Sequence, residues 1–290
     1  MDVFNKAIII KFGLQDMIII TGAAGFIGSS LIWRLNQDSI TDILAVDSIA
    51  NTTKWRNLVK SKYSRLVHKK NLFSYLQSEK LTVSAVVHLG ACSSTTESNF
   101  DYLLENNIDY SISLFQFCQK NSIPFIYASS AATYGTGDLG YDDNIDTMQN
   151  LRPINAYGYS KKLFDDWVLA HLNECPPFCV GLKFFNVFGP NEYHKGNMKS
   201  IVAKAVPEIL QNSSMSLFKS YKVGYEHGEQ KRDFIYIKDV VEIIKFTLDK
   251  ALMANPEKKI GIYNVGTGEA TSFKVLCSYI FKSLNIKEKY

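Results

Sequence analysis

Residues 17–28 read MIIITGAAGFIG. Met17 to Ile20 form a short apolar run that stops at Thr21, and three glycines follow at Gly22, Gly25 and Gly28. An apolar run this short, closed by a glycine turn, predicts a buried strand. Phe26, Ile27, Leu31 and Leu35 then recur at helical spacing, so a helix begins inside the turn itself. Glycines at these places let the backbone approach a pyrophosphate, and the helix N-terminus turns its free N–H groups toward that charge. A second apolar run, DILAVD at 42–47, ends in Asp47 about 20 residues further on, which completes the context of a dinucleotide-binding turn. A tight turn without a ligand is the plainer alternative, and the strand, helix and acid together weigh against it.

Working outward, VSAVVHLGA (83–91), PFIYASS (124–130) and VGLKFFNVFG (180–189) read as further strands, with a helix over 99–120 between the first two. Apolar runs of this length separated by helix-length segments predict an α/β fold with a doubly wound, mostly parallel sheet covered on both faces. After Gly189 the texture changes. A polar stretch, a helix near 200–211 and a charged irregular stretch precede a strand running into a helix at 234–252, then a strand and a glycine turn with a helix N-cap at Thr271 or Ser272. The expected organisation is a dinucleotide-binding domain at 17–184, with 236–258 returning to it. Residues 185–235 and 259–290 form a smaller α/β substrate domain, and 1–16 are an N-terminal extension.

The chain has 290 residues, 46% of them apolar and 21% charged, with a net charge of +4. That is an ordinary globular balance. No lysine or arginine tract argues for nucleic acid, and no apolar run reaches the roughly 18 residues that span a bilayer. Cys92, Cys118, Cys175, Cys179 and Cys277 are an odd set without paired CxxC spacing, which predicts reduced thiols and a cytoplasmic address, with no metal site.

Asp47 suits the 2′-hydroxyl of NAD, since a carboxylate repels a 2′-phosphate. Lys54, Lys69 and Lys70 follow closely and suit the phosphate of NADP, so residue chemistry leaves NAD and NADP both open. Tyr157 and Lys161 are four apart in AYGYSKKLFDD and share a helix face. An ammonium beside the phenol would favour phenolate, and such a tyrosine can take a hydroxyl proton while hydride leaves carbon. Ser130 ends its strand where ligands of open α/β sheets gather, placed to hydrogen-bond the reacting oxygen.

These glycines with Ser130 and Tyr157/Lys161, in this order, resemble the extended short-chain dehydrogenase/reductases with a Rossmann domain, the nucleotide-sugar epimerases and dehydratases. GACSSTTE (90–97), YASSAATYG (127–135), NAYGYSKKLFD (155–165), FFNVFGPNEYHKGNM (184–198), RDFIYIKDV (232–240) and YNVGTGEATSF (263–273) are similar to the ADP-glycero-manno-heptose 6-epimerase family, from Met17 onward. The resemblance implies a retained NADP, an ADP-heptose substrate, and removal and return of hydride at C6 for the lipopolysaccharide inner core. It also implies a cytoplasmic homo-oligomer, a pentamer. Tyr157 matches one acid/base group and Lys195 the other, with Ser130 and Lys161 completing the catalytic set. By the same match Gly22, Gly25, Phe26, Ile27, Gly28, Asp47, Ser48, Lys54 and Lys69 hold the cofactor. So do Leu89, Gly90, Ala91, Cys92, Ser93, Asn106, Lys161, Val187 and Lys195. Ser94, Thr95 and Thr96 would line the sugar and nicotinamide side. Ser130, Asn186, Asn197, Lys204, Phe218, Lys219, Ser220 and Arg232 are the substrate set, with Arg232 on the diphosphate. His194 reads as a surface residue. Asn197 stands where the family often has serine. The family also runs some tens of residues beyond NIKEKY (285–290), so a chain truncated at the C-terminus is expected. The rival readings are another nucleotide-sugar epimerase, a 4,6-dehydratase, and an NADP-binding protein without catalysis. A dehydratase commonly has Asp-Glu just after the serine strand, where this chain has AATYG.

Overall fold

In the computed structural model, residues 16–221, 223–224, 226–253 and 259–290 are described. The expected extension at 1–16 lies outside them except for Asp16, which opens the first strand. The chain runs β1 (Asp16–Thr21), α1 (Phe26–Gln37), β2 (Ile43–Asp47), β3 (Arg65–His68), α2 (Leu72–Glu79) and β4 (Thr82–His88). It continues through α3 (Phe100–Leu103), a wider π turn (Leu104–Asp109), α4 (Tyr110–Lys120), β5 (Phe125–Ser130), α5 (Ile145–Met148), α6 (Ala156–Ala170) and β6 (Phe178–Phe184). The remainder is β7 (Asn186–Phe188), α7 (Ile201–Asn212), β8 (Lys231–Tyr236), α8 (Ile237–Ala251), β9 (Lys259–Val265), β10 (Ala270–Ser272) and α9 (Phe273–Ser283).

Seven strands form one parallel sheet in the order β3-β2-β1-β4-β5-β6-β9. Alternation along β1 divides the core. Ile18 and Ile20 pack with Leu31 and Leu35 of α1 and with Val240, Ile244 and Leu248 of α8. Ile19 faces the other side, with Leu72 of α2, Leu114 and Phe115 of α4, and Phe164 and Val168 of α6. Both faces are covered, so the strands read as continuous apolar runs. A second sheet, β10-β8-β7, and a small core of Ala205, Ile209, Met215, Cys277 and Phe281 between α7 and α9 make the smaller lobe.

Two expectations shift. The run at 180–189 is two strands, because Phe185 binds Val265 and the chain then leaves the large sheet to pair β7 with β8. Within the range assigned to the smaller lobe, β9 pairs with β6 in the large sheet along its whole length. Ser272 is the N-cap of α9, accepting from Val275 N–H. Among the described residues no helix is long and apolar enough to cross a membrane.

Candidate functional site

The adjacent ends of β1, β4 and β5 bring together the glycine turn, the loop after β4 and Ser130. Gly22 sits at φ +66°, and a Cβ there would lie 2.8 Å from Gly90. A Cβ on Gly28 would lie 2.2 Å from Gly22 O, so only glycine lets α1 start this close to the turn. Gly25 caps α1 without a side-chain bond, and no acidic residue occupies its first turn. The first N–H groups of Phe26, Ile27 and Gly28 therefore carry no competing carboxylate, which fits an anion at the helix N-terminus.

A buried chain of hydrogen bonds holds this cradle. Gly90 N–H donates to Thr21 Oγ1 at 3.0 Å, and Thr21 Oγ1 lies 2.6 Å from His88 Nδ1. His88 Nε2 lies 2.8 Å from Ser111 Oγ, whose own proton goes to Asn107 O at 2.7 Å. Ser111 therefore accepts from Nε2–H, and Nδ1 accepts from Thr21, which assigns a neutral ring. Burial holds the His88 pKa down, to about 3. Asn107 pairs with both backbone groups of Cys92, accepting from N–H at 2.7 Å and donating to the carbonyl at 3.0 Å, and it also donates to Ser160 on α6. The π turn makes this possible by burying the consecutive Asn106 and Asn107 on different partners.

Asp47 is engaged by the protein itself. It accepts from Ala24 N–H at 2.8 Å, from Ser48 N–H at 2.6 Å and from Lys54 Nζ at 2.6 Å. Lys69 donates to Asn106 and loses basicity through burial, with Lys70 and Lys54 close enough to add to the loss. Asp47 thus organises the glycine turn while Lys54 and Lys69 supply positive charge beside it.

Ser130 ends β5 and accepts from Ala132 N–H at 3.1 Å, and its side chain is close enough to lower the Tyr157 pKa. Asn155 caps α6 by accepting from Gly158 N–H at 2.7 Å, which fixes the turn carrying Tyr157. Lys161 Nζ donates to Ala128 O at 2.9 Å. The expected lowering of the phenol pKa is not seen: burial raises the Tyr157 pKa, and the neighbouring Ser130 side chain acts against it. The lysine bears the other half of the burial, its pKa lowered to about 8.

Lys195 arrives from a separate turn at 193–198, with Nζ 5.3 Å from the centre of the Phe26 ring, and burial lowers its pKa. That turn is moored. Asn57 Nδ2 lies 3.0 Å from both Ala24 O and Asn191 O and 3.2 Å from His194 Nδ1. Glu192, 1% exposed, accepts from Gly189 N–H at 3.2 Å and from both Ser200 N–H and its hydroxyl. His194 is therefore partly buried against the glycine turn rather than a surface residue. Asn57, Asn107, Glu192 and His88 carried no role in the sequence reading. The only hint was the Asn106-Asn107 pair.

Leu89, Ala91, Cys92 and Ser93 lie on the loop after β4, and Ser94 and Thr96 hydroxyls meet at 3.1 Å. Asn186 and Val187 lie on β7, at the passage between the sheets. Asn197 O accepts from Lys204 Nζ at 2.6 Å, so these two join each other. Phe218, Lys219, Ser220 and Arg232 stand apart on the smaller lobe. Phe218 packs on Phe273 at 4.8 Å, and Arg232 is exposed on β8.

Residues 18–266 match the model of the NAD dependent epimerase/dehydratase family. The chain belongs to this family. Among relatives, the ADP-L-glycero-D-manno-heptose-6-epimerase of Fusobacterium nucleatum is 49% identical over 261 residues, 89% of this chain and 76% of that protein. The protein of the same name from Nitratidesulfovibrio vulgaris is 46% identical over 271 residues, 93% of this chain and 81% of its own. Among solved structures, the Helicobacter pylori ADP-L-glycero-D-manno-heptose-6-epimerase superposes with a TM-score of 0.76 at 30% identity, over 95% of this chain and 85% of that one. For an epimerase/dehydratase of this family, the strand-end cradle is the seat of a nicotinamide cofactor, and its glycines and bare helix N-terminus fit one.

Proposed function

We propose that this chain is an ADP-L-glycero-D-manno-heptose 6-epimerase that interconverts the two C6 epimers of ADP-heptose and supplies the L-glycero form for the lipopolysaccharide inner core. What supports the reading is that the two proposed acid/base groups, Tyr157 and Lys195, are carried by elements on opposite faces of the large sheet. Tyr157 rides on α6, whose Phe164 and Val168 pack on one face. Lys195 lies over Phe26, which belongs to the core of the other face. Hydride taken from one face of C6 and returned to the other leaves the C6 oxygen pointing in two different directions, and an acid/base group at each position suits such a reaction.

A bound nicotinamide cofactor would accept hydride and return it, leaving no net redox change. Ser130 would hold the reacting oxygen beside Tyr157, and Tyr157 would move its proton. Lys161 and Asn106 would bind the cofactor's ribose side. The pairing of Asp47 with Lys54, and Lys69 beside it, supports NADP over NAD, because the carboxylate is already neutralised where a 2′-phosphate would lie. Arg232, Ser220, Lys219 and Phe218 are proposed for the ADP end, and Asn186, Asn197 and Lys204 for the rest of the substrate. We take the division into a dinucleotide-binding and a substrate domain, a homo-oligomeric assembly, a pentamer by resemblance, and a cytoplasmic location as parts of the same reading. The five free cysteines support the location.

The test is incubation with ADP-D-glycero-D-manno-heptose, resolving the epimers by chromatography and NMR. Conversion at unchanged mass is expected, with turnover of Tyr157→Phe lower by about 10²–10⁴-fold. Loss of water from the product would make the chain a dehydratase. No conversion with NADP retained would leave it a binding protein.

A further inference from the structure

Two buried charges lie beneath this site. Lys183 is 1% exposed in β6, between Leu182 and Phe184. Asp165 is 2% exposed on α6, one turn beyond Lys161 and two beyond Tyr157. Their Nζ and Oδ2 are 2.8 Å apart. Burying two ions is costly, and an apolar pair of similar volume commonly holds a helix to a sheet as well or better. Stability alone therefore does not account for the pair, but its contacts do. Asp165 also accepts from Ser129 Oγ at 2.6 Å and from the Tyr127 hydroxyl at 3.2 Å. Lys183 donates to Thr133 Oγ1 at 2.8 Å, and that hydroxyl donates to Ser130 O at 2.9 Å. Ser130 is thus held from both sides, through its neighbour Ser129 and through its own carbonyl. A Cβ on Gly158 would lie 2.6 Å from Ala132 O, so α6 sits hard against the segment that follows Ser130.

We propose that Asp165 and Lys183 are positioning residues, the pair setting Ser130 in register against Tyr157 and the Asp165 carboxylate holding the charge on Lys161. The proposal rests on the reading of Tyr157 and Lys161 as the reacting residues. Lys161 shares a face of α6 with Tyr157 and Asp165, four residues to either side, and Cys92 of the loop after β4 and His88 of β4 lie near enough for their charges to act with its own. Among these groups Asp165 is the only carboxylate, and it opposes the loss of basicity that burial imposes on Lys161.

Asp165→Asn alone would leave Lys183 buried without its counter-ion and risks unfolding the chain. The informative variant is Asp165→Leu with Lys183→Met in the full chain, its folding checked by circular dichroism. Two readouts follow. Lysine labelled with carbon-13 at Cε reports the Lys161 titration by NMR, with Lys161→Arg assigning the signal. Steady-state kinetics with ADP-heptose report kcat and KM. The Lys161 midpoint is expected to fall by about one pH unit, and kcat by about tenfold or more with KM within about threefold. An unchanged midpoint overturns the proposal, as does an unchanged kcat beside a moved midpoint. The titration needs no sugar, so it decides even if wild-type chain fails to convert the heptose, an outcome that would count against the proposed function instead.

Discussion

Lys54 shows how a single side chain changes the meaning of its neighbour. Asp47 alone reads as a partner for a 2′-hydroxyl, yet it spends its oxygens on Ala24, Ser48 and Lys54. The charge left beside the glycine turn is then that of Lys54 and Lys69. Lys54→Glu is expected to weaken NADP by about tenfold or more while NAD changes by only a few-fold, because only NADP carries the extra phosphate. Calorimetric titration with both dinucleotides checks this, and equal loss for the two would sink the assignment. Gly28→Ala tests the cradle at the same scale. A methyl group 2.2 Å from Gly22 O forces the turn apart, so binding of either dinucleotide should be lost. The glycines, Ser130, Tyr157 and Lys161 were all legible in the sequence, because each belongs to a local spacing. The true partner of Asp47 was not, because Lys54 approaches only after residues 48–53 turn back.

At the scale of elements, the turn at 193–198 has little regular structure to keep it in place. Glu192 supplies the anchor, capturing donors from Gly189 and Ser200 on either side. Removing a buried acceptor leaves each donor unsatisfied, at about 1–3 kcal/mol apiece. Glu192→Ala should therefore lower kcat more than NADP affinity, since Lys195 loses its frame while the glycine turn and α1 keep theirs. Parallel measurement of kcat and NADP dissociation decides it, and loss of both in equal proportion would refute the separation. The sequence showed a polar stretch here and nothing of its architecture. Asn57 and Glu192 act on residues far along the chain or across a turn without periodicity, so no local pattern marks them. β3 escaped notice for a related reason: it is an edge strand of the large sheet in which only Val67 is buried.

For the whole molecule, buried neutral His88 makes stability depend on acid. Its folded pKa of about 3 lies below the ordinary value of 6.5. The unfolded chain thus binds the extra proton first as pH falls, and folding loses stability progressively from about pH 6.5 down to about pH 3, by up to about 5 kcal/mol. Urea unfolding of wild type and His88→Gln across this range tests the claim. The variant should show a shallower loss, by up to about 1.4 kcal/mol per pH unit. Identical slopes would mean that His88 is not the group responsible.

The sequence by itself determined the α/β alternation, the dinucleotide turn, the strand-end serine and the Tyr157–Lys161 face, because these follow from periodicities of a few residues. Tertiary structure alone decided that Lys195 lies over Phe26 while α6 packs on the other face of the large sheet, that β9 completes that sheet, and that His88, Asn107, Asp165 and Lys183 are buried. The physical reason is distance along the chain. His88 meets Thr21 across 67 residues and Lys183 meets Thr133 across 50, and a buried polar group takes whichever partner the packed fold brings to it.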